Sequence, residues 1–142
     1  MNEVKLFWKS FMVNLKIGPD IGDVTPTLTD IVRDTGVEYG SLTATVVGST
    51  GSLTTIEYEP GVVDDLKRAI DRLAPPGMEY AHELAWHDGN GHSHVQAALL
   101  GPSIALGVRG GRLALGTWQQ VVAINHDNRP RKRTIEVNVI GC

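Results

Sequence analysis

Over residues 4–16, hydrophobic and polar positions alternate with period two: Phe7, Phe11, Val13 and Leu15 share one parity, and Lys9 interrupts. Successive strand side chains point to opposite faces, so this pattern predicts a strand with one half-buried face. Next, "TPTLTDIVRDTG" (25–36) carries helix signals in order: Thr25 or Thr27 to cap, Pro26 in the first turn, an apolar stripe of Leu28, Ile31 and Val32, and Gly36 to stop it. Two β-branched runs, "SLTATVVG" (41–48) and "SLTTIEY" (52–58), flank the short "STG" and predict a hairpin-like pair.

Pro60 opens the clearest amphipathic helix. Val62, Leu66, Ala69, Ile70 and Leu73 recur at helical spacing, Asp64 and Asp65 are assigned to its first turn, and "PPG" ends it. A histidine-rich stretch then reads as a loop, leading into "VQAALLG", which suits a short helix. The remaining chain predicts strands over "SIALGV", "LALGTWQQVVAIN" and "TIEVNVI", with turns at "RGGR" and "HDNRPR". In the last strand Ile135, Val137 and Val139 point inward. Two or three helices among mostly antiparallel strands give an α+β domain with a sandwich-like core.

Composition narrows the class. A chain of 142 residues with 42% hydrophobic and 20% charged residues suits one domain, 1–142, with a real core. The formal net charge of −3 offers no electrostatic footprint for nucleic acid or acidic lipid. The one cysteine, Cys142, rules out an internal disulfide and a cysteine metal cage. The N-terminus has no uninterrupted apolar block, and nothing approaches a membrane span, so a cytoplasmic protein is expected.

Candidate chemistry concentrates in "HELAWHDGNGHSH" (82–94), which holds His82, His87, His92 and His94 of the chain's five histidines. On an extended chain His92 and His94 share a face, and Gly89 and Gly91 allow His82 to fold back toward them. The trio could ligate one divalent ion, and a solvated loop of locally bonded imidazoles is the competing reading. "GSTGS" (48–52) is a good turn whose small hydroxyls and amides can also hold phosphate. Glu57 and Glu59 suit metal binding or proton exchange, though Glu59 equally suits the positive start of the helix at Pro60. "GTWQQ" (116–120) sets Trp118 and its neighbouring amides on a strand, as a pocket wall or a subunit contact. "RPRKR" (129–133) reads as a charged strand edge, or as a phosphate grip.

Four ordered blocks, "GSTGSLTTIEYEPG", "YAHELAWHDGNGHSHVQAALLGPS", "GRLALGTWQQ" and "DNRPRKR", make the chain resemble the YjbQ-like family, often labelled secondary thiamine-phosphate synthase. The resemblance spans about residues 5–140. It implies a trimer of sandwich-like α+β subunits with a metal-binding histidine site near subunit contacts. It matches His82 and His94 to the family's recurrent histidines, Asp88 and Asn90 to its acidic and amide loop, Glu57 to its acidic position, and Trp118 and Gln119 to its "GTWQ" block. Many members carry a histidine where this chain has Gly48, which makes His92 the candidate replacement ligand.

The expected site therefore has Glu57 and Asp88 as catalytic groups and His82, His92 and His94 on zinc or magnesium. Ser49, Thr50, Ser52, Asn90, Trp118, Gln119 and Arg131 are expected to bind a small phosphorylated molecule. The expected chemistry joins a pyrimidine diphosphate to a thiazole phosphate. The alternatives are a non-catalytic metal- or ligand-binding trimer and a metal-dependent hydrolase of a phosphorylated small molecule.

Overall fold

In a computed structural model, residues 3–142 are described. Eight strands and four helices run β1 (Lys5–Leu15), β2 (Asp20–Asp23), α1 (Thr25–Thr35), β3 (Tyr39–Val47), β4 (Gly51–Ile56), α2 (Pro60–Leu73), α3 (His82–Trp86), α4 (Gly91–Leu100), β5 (Ser103–Arg109), β6 (Arg112–Leu113), β7 (Gln120–Asn125) and β8 (Arg131–Gly141). They form an antiparallel five-stranded sheet, ordered β1-β8-β3-β5-β6, and an antiparallel three-stranded sheet, ordered β2-β7-β4. The α+β sandwich expected from the pattern is what forms.

The alternating strands pack as their parity dictates. Leu42, Ala44, Val46, Ile135, Val137 and Val139 from the large sheet share one core cluster with Leu53, Val121 and Ala123 from the small one and with Leu28 and Val32 of α1. The other face of the small sheet buries Ile21, Val122 and Ile124 against Ile70 of α2. β7 is thus apolar on both faces and reads as a continuous hydrophobic run.

Four local expectations are corrected. β3 and β4 do not pair: both sides of β3 are taken by β8 and β5, so the chain leaves through Gly48, at φ +135°, and enters the other sheet. β8 lies between β1 and β3, so "RPRKR" leads into a central strand and not an edge. Trp118 sits in the turn before β7 instead of on a strand. Residues 82–94 are not one loop, because α3 and the first turn of α4 carry His82, His92 and His94 and only 87–90 form a loop between them.

The helix ends also differ in detail. Val24 caps α1, and the Thr25 hydroxyl bonds to the backbone of Val121 on β7. Asp64 and Asp65 lie beyond the first turn of α2 and pair with Arg68. Glu59 takes the capping role, accepting from Gly61 N–H at 2.6 Å and Val62 N–H at 3.1 Å.

Candidate functional site

At the end of the small sheet where β4 begins and β7 finishes, a polar cleft of about 320 Å³ opens between the 48–50 crossover, the start of α4 and the β7–β8 turn. Its walls are Gly48, Ser49, Thr50, Asp88, Asn90, His94, Asp127 and three arginines, 129, 131 and 133. Parity explains the arginines: stepping back by twos from the inward Ile135 reaches Arg133 and then Arg131, so both side chains enter the interior side of the sandwich.

Asp127 organises them. Its carboxylate is 1% exposed and accepts from Asn90 Nδ2 at 3.1 Å and Arg129 N–H at 3.2 Å on one oxygen. The other oxygen accepts from Thr50 Oγ1 at 3.0 Å and from Arg131 Nε at 3.0 Å, and Arg131 Nη2 lies 2.9 Å from it in the ion pair. Burial pushes this carboxyl up, but the bonds from Asn90, Thr50 and Arg131, with the Arg131 charge, outweigh it and hold it below the usual range. The result is a fixed anion that keeps a fork-shaped cation in one place.

Arg133, 6% exposed, is less well satisfied. Both hydrogen bonds of its guanidinium leave from Nη2, to Thr50 Oγ1 and Asn125 Oδ1, each at 2.6 Å. Its buried Nε has no acceptor among the described residues. Burial and the nearby Arg131 charge depress its basicity, and Asp127 opposes them. Such a cation lacks part of the anionic company that burial ordinarily demands.

The imidazoles separate into distinct environments. His82 opens α3 and places Nε2 at 3.0 Å from Asp88 Oδ1, while its ring centroid lies 4.6 Å from that of His94. The backbone N–H of Asn90, with His82, holds the Asp88 carboxyl below its ordinary value. His92 turns away, because residues two apart on a helix lie on different sides; its nearest bond is to Ser93 Oγ at 3.3 Å. The cation-binding donors that converge are His82, Glu83 and Asp88, whose ligand atoms all lie within 4.8 Å of one another. This mixed nitrogen and oxygen set fits a divalent cation. His87 is exposed at the end of α3.

His126, the one histidine outside the cluster, is 1% exposed. Gln96 donates through Nε2 to Asp71 and Ala74, so its Oε1 must accept from His126 Nδ1 at 2.9 Å. That assigns the proton to Nδ1 and leaves Nε2 to accept from the Ser52 hydroxyl at 2.7 Å. Burial, with the charges of Arg133 and His92, lowers its pKa to about 4. The imidazole is a neutral strut joining β4, α4 and the turn that presents Asp127.

The cleft thus collects Ser49, Thr50, Asp88, Asn90, His94 and Arg131 from the expected set, with His82 behind Asp88. It does not collect the others. Ser52 is 0% exposed and committed to His126. Glu57 follows β4, and Trp118 and Gln119 precede β7, at the opposite end of the small sheet. Five strand steps at roughly 3.3 Å put that end about 17 Å away. Gln119 there bonds Thr55 and the Gly116 N–H. The sequence reading met Arg129 and Arg133 only as part of the 129–133 run and passed over Asp127, Glu83 and His126 as site residues. Only the arginine parity was visible, and a carboxylate that gathers its partners from three separate segments left no local sign.

The UPF0047 YjbQ-like family model matches residues 9–142. A UPF0047 protein of Archaeoglobus fulgidus is 36% identical over 92 residues, covering 65% of this chain and 71% of that one. One from Methanothermobacter thermautotrophicus is 31% identical over 119 residues, covering 84% and 81%. Among solved structures, a YbjQ-like protein of unknown function from Sulfolobus solfataricus superposes with a TM-score of 0.93 at 28% identity, over 99% of this chain and 100% of the other. A hypothetical protein from Aeropyrum pernix gives 0.89 at 31% identity, over 96% and 99%.

Proposed function

The chain belongs to the UPF0047 YjbQ-like family, and from that premise we propose that its cleft binds a small phosphorylated molecule and promotes departure of its diphosphate. The observation that carries this reading is the convergence of Arg129, Arg131 and Arg133 on one 320 Å³ cleft, with Asp127 holding the fork of Arg131. Two carboxylates and three guanidiniums leave the lining net positive, which suits phosphate oxygens.

The specific reaction proposed is thiamine-phosphate-synthase-like. The C–O bond of a pyrimidine-methyl diphosphate breaks and its electron pair leaves with pyrophosphate. The lone pair of a thiazole phosphate nitrogen forms the new C–N bond, giving thiamine phosphate. Arg131, with the Ser49 and Thr50 turn, holds diphosphate oxygens, and His94 and Asp88 line the approach. A divalent cation held by His82, Glu83 and Asp88 would supply further positive charge for the leaving group.

We further propose a homotrimer, because Leu6, Trp8, Met12, Trp86 and Trp118 are all exposed on a single chain. A partner subunit is also the way for Glu57 and Trp118 to approach a cleft that their own chain keeps distant. The cytoplasm is the compartment that suits such a substrate. Incubating the protein with both substrates tests the reaction: thiamine phosphate should form, and Arg131→Met should reduce its rate at least tenfold, the scale of one charge-assisted bond. A binder without turnover would instead retain affinity for the diphosphate and release no pyrophosphate.

A further inference from the structure

Gly48 is the point where the chain leaves the large sheet, with φ at +135°, a conformation that side chains other than glycine rarely adopt. A β-carbon there would stand 2.8 Å from Arg133 Nη1. Both residues line the cleft. The missing side chain therefore leaves open a face of the guanidinium that any other residue would cover. Under Gly51 the same logic holds, since a β-carbon at that position would lie 3.2 Å from Arg133 Nε. Two glycines thus flank a buried cation whose Nη2 alone is engaged and whose Nε is unpartnered among the described residues.

The balance of charge points the same way. Asp127 is the one buried carboxylate among the described residues of the cleft, and Arg131 already donates Nε–H to it and sets Nη2 at 2.9 Å from it. Arg133 reaches that carboxylate only through the Thr50 hydroxyl, which donates to Asp127 and accepts from Nη2. Placing an oxyanion beside Nη1 would supply the missing counter-charge, and the exposed Ser49 hydroxyl beside Gly48 adds a donor.

We propose that the Gly48 opening and the Arg133 guanidinium form a discrete subsite for a tetrahedral phosphate oxyanion, gated by the absence of a side chain at residue 48. This rests on the reading of the cleft as a phosphorylated-ligand site and adds to Arg131 a second cation that meets the ligand's phosphate directly. Arg131 is oriented by Asp127 through Nε and Nη2, and Arg133 brings a buried Nε that has no acceptor among the described residues. The subsite takes either a phosphate monoester or the end of a diphosphate.

The test is a titration of the whole protein with inorganic phosphate and, separately, pyrophosphate, followed by calorimetry and by the side-chain Nε–H resonance of Arg133. Each anion should move that resonance saturably, with sulfate as a weaker control. Tighter pyrophosphate binding assigns the subsite to a leaving diphosphate, and tighter phosphate binding assigns it to a monoester. Gly48→Ala should weaken binding at least tenfold. Circular dichroism checks that this variant folds, and the wild-type resonance stands independently of it. Phosphate binding that leaves the Arg133 resonance still, or that survives unchanged in folded Gly48→Ala, overturns the subsite but not the wider reading. No binding of either anion at millimolar concentration also overturns it, and the turnover assay then judges the wider reading separately.

Discussion

Asp127 and Arg131 are joined through one carboxylate oxygen, which accepts a hydrogen bond from Nε at 3.0 Å and lies 2.9 Å from Nη2 in the same ion pair, in the lining of the cleft. The side chains are four residues apart across the β7–β8 turn, and the pair fixes both the turn and the direction of the cation. Asp127→Asn keeps the shape but removes the charge and one set of acceptors. Losing one partner of a buried pair leaves the others unpaired, so unfolding stability should fall by about 3 kcal/mol. Urea denaturation measures this, and an unchanged midpoint would mean the carboxylate does not organise the turn.

Acid should weaken the fold before its carboxylates titrate. His126 has its pKa lowered from 6.5 to about 4. Between those values the unfolded chain binds the proton and the folded chain does not, so stability is full above 6.5 and declines as pH falls toward 4. The loss approaches about 3 kcal/mol at 1.36 kcal/mol per unit. Measured from pH 7 to 4, urea midpoints should fall in the wild type. His126→Asn should start less stable and lose the part of that slope due to His126.

Metal binding should depend on His82 and Asp88 and not on His92. His82→Ala and Asp88→Ala should each lower zinc affinity at least tenfold, the lower end expected for disrupting a coordination set. His92→Ala should leave it unchanged, since that ring faces Ser93. Equilibrium dialysis with zinc separates these outcomes, and loss of zinc in His92→Ala alone would reverse the assignment.

Association should be visible in the tryptophans. Trp8, Trp86 and Trp118 are 62, 71 and 71% exposed on one chain. A trimer covering any of them should emit at shorter wavelength than the unfolded chain and shift to longer wavelength on dilution. Solvent-like emission at every concentration, with monomer mass in sedimentation, would remove the trimer.

Much of this architecture is legible in residue order. The parity of Ile135, Val137 and Val139 and the stripe of α2 settle their elements because burial on one face leaves no other register. The 82–94 segment misled because Gly89 and Gly91 resemble loop residues, whereas a side-chain contact between α3 and α4 ties the two helices together. Gly91 N–H is taken by Glu83 Oε1 at 3.0 Å. The 48–51 crossover misled for a comparable reason: its chemistry suits a hairpin, and only the occupancy of both edges of β3 forbids one. The same division holds in the cleft. The hydroxyl turn, Asp88, Asn90, His94 and Arg131 stand in recognisable motifs, while Asp127 acquires its role from Thr50 and Asn90, which are distant in sequence.

Equilibrium binding of a pyrimidine-methyl diphosphate to the wild type and to Arg131→Met tests the cleft most directly. The wild type should bind saturably and more weakly as salt rises, with affinity at least tenfold lower in the variant. Equal affinity in the two proteins, or no binding to the wild type, would contradict a phosphate site built on these arginines.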